Sequence, residues 1–270
     1  MIEKDNVYNM DCLDGLRMIE DETIDLTVTS PPYDNLREYN GNIAQWSFDK
    51  FKLIANELYR VTKRGGVIVW IVNDGTENGS ETGTSFRQAL HFKEVGFNLH
   101  DTMIWEKDTF ALPDVNRYYS AFEYMFVFSK GTPNTFNAIK DRKNKYAGVN
   151  IHGTFRDKNG DTITRTKNWC ETEIQEYGSR YNVWNIATEK NNTTGHPAVY
   201  PVQLARDHII SWSNEGDTVL DPFMGSGTTA VAAIQTDRHY IGFELDSQYH
   251  AVCLKRIDDT WAHGKQLQVI

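Results

Sequence analysis

Along this chain the spacing of apolar residues keeps changing, and each change of period marks an element. "IDLTVTS" (24–30) is a short apolar run rich in β-branched residues and predicts a buried strand. In "FDKFKLIANELYRVTKRGG", Phe51, Ile54, Leu58 and Val61 recur at helical spacing, with Gly65 and Gly66 as the stop. "VIVWIV" (67–72) predicts the next strand. A polar, glycine-rich loop, "NDGTENGSETGTS", then leads into a helix near 85–95. "LHDTMIWEK" and "AFEYMFVFSKG" (121–131) read as two more strands. From 131 to 182 no period persists, apolar residues are sparse, and Asn, Lys, Gly and Thr are frequent. That segment predicts an extension with little core of its own, placed on a scaffold. Alternation then resumes: a helix in "YPVQLARDHIISWSNEGD", a strand in "TVLDPF", a glycine-opened helix in "GSGTTAVAAIQTD", a strand in "HYIGFELD" and a last helix in "SQYHAVCLKRIDD". Strands alternating with helices imply an α/β fold, a parallel sheet with helices on both faces. The expected organisation is one domain over 1–270 carrying an inserted region at 131–182, without internal repeats or low-complexity tracts.

Composition narrows the class without naming a chemistry. A chain of 270 residues can bury a full core, and 40% hydrophobic with 24% charged residues is ordinary for a globular protein. The net charge of −9 argues against a general nucleic-acid coat, but its distribution is uneven. Residues 130–180 hold ten Lys/Arg against six Asp/Glu, so that segment is about +4 and the remainder about −13. A locally basic segment on an acidic body fits docking onto a polyanion through one face, although a solvated charged loop would read the same way. Cys12, Cys170 and Cys253 are far apart with no C-x-x-C, which argues against a disulfide framework and predicts no metal site. No apolar run reaches bilayer length, so no membrane partner is expected. "MIEKDNVYNMDC" lacks a signal-peptide layout, and a cytoplasmic location is the expectation.

Two stretches carry candidate chemistry. In "VLDPFMGSGTTAVAA", Asp221 ends a strand, Gly225-Ser226-Gly227 follow, and a helix starts; such glycines let backbone N–H groups approach a ligand closely. A tight strand-to-helix turn would use the same residues, but Glu244 closes the next strand about 20 residues on. There a carboxylate can take both hydroxyls of a ribose. Together they indicate a nucleotide-like cofactor, NAD or S-adenosylmethionine, and the spacing departs from the G-x-G-x-x-G of dinucleotide sites. The second stretch is "TSPPY" (29–33), where two prolines end a strand. An exocyclic amine on a nucleobase is a poor nucleophile because its lone pair is delocalised into the ring. Two acceptors holding its hydrogens would favour a tetrahedral nitrogen and aim the lone pair at a methyl donor. Ser30 can supply one and the Pro31 carbonyl the other, stiffened by Pro32, while Tyr33 can stack on an extruded base.

"TSPPY" followed by "DPFMGSGTT" resembles the S-adenosylmethionine-dependent amino-methyltransferases that act on DNA, in the order of the circularly permuted beta group. The resemblance covers nearly the whole chain. It implies a Rossmann-like methyltransferase: a mostly parallel seven-stranded twisted sheet with one antiparallel strand. It also implies catalytic roles for Ser30, Pro31, Pro32 and Tyr33. The implied cofactor set is Asp11, Thr29, His196, Pro197, Asp221, Pro222, Phe223, Gly225, Ser226, Gly227, Thr228 and Glu244. Asp11 is similar to the residue that contacts the adenine, and "HPAVYPVQL" (196–204) to the segment over the methionine end. Within the family, serine before Pro-Pro-Tyr accompanies N4 of cytosine and aspartate accompanies N6 of adenine. The implied reaction is therefore N4-cytosine methylation of a flipped base in double-stranded DNA, with N6-adenine as the alternative. C5-cytosine methylation is disfavoured, because no cysteine follows a proline. A nucleotide-binding module without turnover, or an enzyme acting on RNA or protein amines, is the rival reading. Within 131–182, Lys140, Arg142, Lys143 and Lys145 are candidates for phosphate contact, and Arg156, Arg165 and Lys167 for guanine edges. Asp34, Asn35 and Arg37 could lie in a loop closing over the base. Trp46, Trp70 and Trp105 are expected in the core. A cognate restriction endonuclease would act as a separate protein, and the oligomeric state is open between monomer and dimer.

Overall fold

The computed structural model describes residues 2–33, 46–111, 116–151, 153–165, 172–189 and 199–262. Asp34, Asn35, Arg37, Lys167, Cys170, His196 and Pro197 lie outside the described residues. The order of elements begins β1 (Asn6–Asn9), α1 (Cys12–Arg17), β2 (Ile24–Thr29), α2 (Phe48–Val61), β3 (Thr62–Val72), β4 (Thr76–Glu77), β5 (Ser80–Glu81), α3 (Thr84–Val95), β6 (Asn98–Ala111) and β7 (Ser120–Ser129). Four short strands follow: β8 (Arg142–Lys143), β9 (Thr154–Arg156), β10 (Thr162–Thr164) and β11 (Tyr177–Gly178). The chain continues through β12 (Val183–Asn185), α4 (Val202–Trp212), β13 (Thr218–Asp221), α5 (Thr228–Gln235), β14 (His239–Glu244) and α6 (Ser247–Ala262).

Eight strands form the main sheet, in the order β1-β14-β13-β2-β3-β7-β6-β12. Every neighbouring pair is parallel except the two that β7 makes, so β7 is the one strand running against the rest. The mixed α/β class, the largely parallel sheet and its single reversed strand match expectation; the count of seven does not. The additional strand is β12, three residues paired with Ile104 to Glu106 at the outer edge of the sheet. β3 sits in the middle of the sheet and is buried from Gly65 to Val72, as a strand covered on both faces must be. Its alternate residues Ile68, Trp70 and Val72 join a cluster with Phe51, Ile54 and Leu58 of α2, Phe92 of α3 and Leu16 of α1. α5 packs against both α4 and α6, and these helices supply a separate buried set, including Leu204, Ile209, Val231 and Ile234. α2 starts where the Ser47 hydroxyl accepts from Lys50 N, and it stops at Val61, four residues before the glycines expected to end it. The chain passes directly into β3 there.

By its contacts the chain divides into two compact units, Met1–Asn137 with Asn182–Ile270, and Ala138–Tyr181. The second unit is built from two small antiparallel pairs, β8 with β11 and β9 with β10, plus a bridge between Asn150 and Glu173. None of its described residues is a buried hydrophobic, so little apolar core holds it. Residues 131–137 belong to the first unit: Asn134 N donates to Gly65 O at 3.0 Å and Asn137 N to Ser211 O at 2.8 Å.

Candidate functional site

Between β13 and β2 the sheet changes its direction of growth. From β2 the chain moves outward to β3, and from β13 it moves the other way to β14. Two neighbouring strands whose connections leave in opposite directions open a crevice at their carboxyl ends, where open α/β sheets bind ligands. A pocket lies there. Met10 and Asp11 line it after β1, Ser30 and Pro32 after β2, Pro222 to Ser226 after β13, and Glu244 to Asp246 after β14. Cys12, Trp46, Lys50, Val199, Tyr200, Thr228, Phe243 and Tyr249 complete the wall.

Three carboxylates stand on the pocket wall, Asp11, Glu244 and Asp246. Asp11 caps α1, accepting from Leu13 N at 2.9 Å, and its other oxygen accepts from Lys50 Nζ at 2.5 Å. Glu244 is held by two backbone donors, Gly225 N at 2.7 Å and Asp246 N at 2.8 Å, one to each oxygen. Burial pushes the Glu244 carboxyl up to about 7 against the pull of those two N–H groups, and the Asp246 and Asp221 carboxylates push the same way. Each carboxylate oxygen keeps a second lone pair, so Glu244 can still accept two hydroxyls. Phe223 packs edge-on against Trp46, ring centroids 5.4 Å apart, and with Met224 and Phe243 makes the apolar part of the wall. An apolar wall beside Asp11 and a carboxylate at Glu244 with lone pairs left for a diol fit the nucleoside half of S-adenosyl-L-methionine.

Several predicted residues lie behind this wall instead of on it. Asp221 is 1% exposed and is the hub of a buried network. Its Oδ1 accepts from the Thr29 hydroxyl at 2.6 Å and from Phe223 N at 3.0 Å; its Oδ2 accepts from Thr229 at 2.6 Å and from Tyr200 at 3.2 Å. Tyr200 and Thr229 are themselves hydrogen-bonded. Burial raises the Asp221 carboxyl above its ordinary value, opposed by the hydroxyls of Thr229 and Thr29. Thr29 and Asp221 thus tie the end of β2 to the glycine loop and do not meet the pocket. Gly227 does not meet it either. It opens α5 at φ 89°, and a Cβ there would come within 2.7 Å of Cys253 Sγ, so this glycine serves helix packing. From α6, Arg256 Nη1 donates to Ser226 O at 2.8 Å and Ser226 Oγ at 2.9 Å, pinning the loop from outside.

The "TSPPY" residues divide in the same way. Ser30 and Pro32 line the pocket, while Pro31 and Tyr33 are buried. Tyr33 is 7% exposed within the aromatic core, and its hydroxyl donates to Glu123 Oε2 at 2.6 Å. In this arrangement little of its ring is exposed. Trp70 and Trp105 are buried as expected; Trp46 is half-buried, packing against the core and also lining the pocket. Cys12 and Cys253 are buried, and their thiols are pushed up to about 12, Cys12 by burial and the adjacent Asp11, Cys253 chiefly by burial. Thiols held protonated are not nucleophiles. Among the described residues no cluster of side chains could hold a metal ion, and no helix is long and apolar enough to cross a membrane. Lys50, Tyr200 and Trp46 escaped sequence reasoning because each belongs to a helix or approach segment with an ordinary pattern; only Tyr200 carried a signal, two residues past "HPA".

An open α/β sheet with a glycine loop after one strand and a carboxylate ending the next, both on one pocket, is the arrangement of an enzyme built around a nucleoside cofactor. Residues 24–255 match the N6/N4 methyltransferase family, described as DNA methylase, and the chain belongs to it. It is a DNA methyltransferase that uses S-adenosyl-L-methionine, the donor of an electrophilic methyl on sulfur. The orphan methyltransferase M.BamHII of Bacillus amyloliquefaciens is 54% identical over 247 residues, covering 88% of this chain and 90% of that protein. The DNA adenine methyltransferase YhdJ of Escherichia coli K12 is 29% identical over 276 residues, 95% of this chain and 83% of that one. In fold, the chain is similar to the cytosine-N4-specific PvuII DNA methyltransferase, with a TM-score of 0.70 at 21% identity, covering 96% and 92% of the two chains. It is also similar to a putative DNA modification methylase of Thermus thermophilus in complex with S-adenosyl-L-methionine, with a TM-score of 0.62 at 22% identity and 94% of each chain.

Proposed function

We propose that this methyltransferase transfers the methyl group to N4 of a cytosine extruded from double-stranded DNA at a specific sequence. The observation that carries the reading is Ser30. Ser30 lines the pocket at the end of β2, and on this reading a neutral acceptor and not a carboxylate would meet the target amine. Ser30 Oγ and the Pro31 carbonyl would hold the two amine hydrogens and turn the nitrogen lone pair toward the sulfonium methyl. Pro32 leaves no N–H to compete for that carbonyl. Asp11 would orient the adenine, Glu244 the ribose, and Phe223 with Trp46 would exclude water from the ring.

Duplex contacts are assigned to the second unit. Its exposed cations Lys140, Lys143, Lys145, Arg156 and Lys158 suit phosphates. Arg142 is instead folded over the Tyr181 ring and bonded to Ser179 O, and Arg165 lies over Phe155. Both are therefore weaker candidates for DNA contact than the sequence suggested. The 54% identical relative is named an orphan methyltransferase, which favours action without an endonuclease partner.

The deciding experiment is incubation with mixed-sequence duplex DNA and methyl-labelled cofactor, then mass spectrometry of the nucleosides. N4-methylcytosine is the expected product. N6-methyladenine, the product type in the name of YhdJ, would overturn the cytosine assignment and leave the family intact.

A further inference from the structure

Methylating an amine creates a proton that must go somewhere, and the site contains a route for it. Ser30 Oγ donates to Tyr33 Oη at 3.1 Å, and Tyr33 Oη donates to Glu123 Oε2 at 2.6 Å. Glu123 Oε1 in turn accepts from Lys107 Nζ at 3.0 Å. The first two donors point the same way, from the pocket wall inward to a carboxylate. The Glu123 side chain is 8% exposed, whereas the Lys107 side chain keeps 16% of its surface.

The placement of Glu123 is not explained by packing. β7 alternates Phe122, Tyr124, Phe126 and Phe128 on one face with Glu123, Met125 and Val127 on the other, and Met125 and Val127 are fully buried. An acid therefore occupies a slot in an apolar row. Replacing such a buried ion pair with well-packed apolar residues is commonly neutral or stabilising, so stability alone gives no reason to keep it. Because β7 runs against β3, its beginning lies where β3 ends: Tyr124 pairs with Val72. Glu123 is thereby brought to the catalytic edge of the sheet. Trp105 of β6 stands opposite it, and Lys107 follows two residues on, within the register irregularity between Glu106 and Ala111.

We infer that Ser30, Tyr33 and Glu123 form a proton relay that carries the amine proton away from the reacting nitrogen, with Lys107 as its positioning residue and exit. The inference rests on the reading that Ser30 meets the target amine. In the transfer step the N–CH3 bond forms as the S–CH3 bond breaks; the sulfonium becomes a neutral thioether and the nitrogen takes the positive charge. The amine proton then passes to Ser30 Oγ, the Ser30 proton to Tyr33 Oη, and the Tyr33 proton to Glu123. Nitrogen is left neutral and Glu123 protonated. Lys107 releases a proton to water and takes the one from Glu123, which restores the ion pair. The net products are methylated amine, thioether and one proton in water. Tyr33 thus acts through its hydroxyl.

The test compares wild type with Tyr33→Phe, Glu123→Gln and the double variant Glu123→Gln/Lys107→Met, which removes both charges together and keeps the shapes. Cofactor dissociation constants and single-turnover methyl transfer on duplex DNA are measured across pH, with products identified by mass spectrometry. Tyr33 and Lys107 are the titratable groups bonded to Glu123, and each is substituted in the set. Expected are unchanged cofactor affinity and a transfer rate lowered about 100-fold, the range of lost acid–base catalysis. The acid limb of the wild-type pH–rate profile and its solvent isotope effect should vanish in both Glu123 variants. Variants that keep the wild-type rate and profile would overturn the relay, and so would a loss confined to cofactor affinity and melting temperature. If the wild type makes N6-methyladenine, only the cytosine assignment falls; if it methylates no amine, the role of Ser30 itself is wrong.

Discussion

Raising the pH from about 6 to about 8 should tighten cofactor binding through Glu244. Its carboxyl, pushed up to about 7 chiefly by burial, is mostly neutral at the lower value and mostly ionised at the upper. Ribose hydroxyls donate far better to a carboxylate than to a carboxylic acid. The ionised fraction rises from about one tenth to about nine tenths over that interval, so affinity should rise about tenfold if only the ionised form binds. The groups facing Glu244 are the N–H donors of Gly225 and Asp246 and the carboxylates of Asp246 and Asp221, which both oppose ionisation. Stability moves the other way. A carboxyl raised from 4.5 to about 7 holds its proton longer in the folded state than in the unfolded one. The folded protein is therefore favoured below the unfolded value, and that advantage is lost as pH rises through about 7. The full shift corresponds to about 3 kcal/mol. Calorimetric titration of S-adenosylmethionine into wild type and Glu244→Gln supplies the measurement. The cofactor's own α-amino group also titrates near the top of the range, at about 8, but it does so equally with both proteins. The ratio of the two dissociation constants is thus the readout, and it should widen as pH rises. A ratio independent of pH would refute the argument.

Four further outcomes follow from the same geometry. Ser30→Ala should leave cofactor affinity within about twofold and lower single-turnover transfer by roughly 100-fold; undiminished transfer would remove Ser30 from the reaction. Asp221→Asn puts an amide where four donors converge and should cost about 1–3 kcal/mol, read as a lower melting temperature. Gly227→Ala meets both the φ of 89° and the Cys253 sulfur, and should destabilise by about 2 kcal/mol. Cys253→Ala in the same chain should recover only part of that loss, because the backbone strain persists. Lys50→Met leaves Asp11 without its cation at the pocket edge and should weaken cofactor binding several-fold by direct titration, with little change in melting temperature.

The interior of the sheet was legible because its strands are apolar runs between helices of clear period. Both missed strands are edges: β1 at one side and β12 at the other, four and three residues long, with at least half of their residues not buried. An edge strand covered on few sides needs no apolar run, so hydrophobicity carries no trace of it. The pocket was legible where motif residues reach its wall, as at Ser30, Glu244 and the glycine loop. It was not legible where the same motif holds its own backbone. Asp221 and Gly227 stand in the motif beside pocket residues, yet one is a buried hub and the other a helix contact. Nothing in the spacing distinguishes a carboxylate that faces a cofactor from one that faces three hydroxyls.

The same distinction bears on Tyr33. Beside two prolines, an aromatic ring reads as a platform for a planar base, because stacking needs only a face. The fold buries most of that ring and gives its hydroxyl three partners, Ser30 on the pocket wall, the Ile71 carbonyl and the internal acid Glu123. If stacking were its task, phenylalanine would serve as well, and Tyr33→Phe would be neutral in transfer. If proton removal is its task, the missing oxygen alone should slow the reaction while the ring stays where it is. A single atom therefore separates the two roles, and the substitution that removes it leaves the aromatic core around Trp70 and Phe126 packed as before.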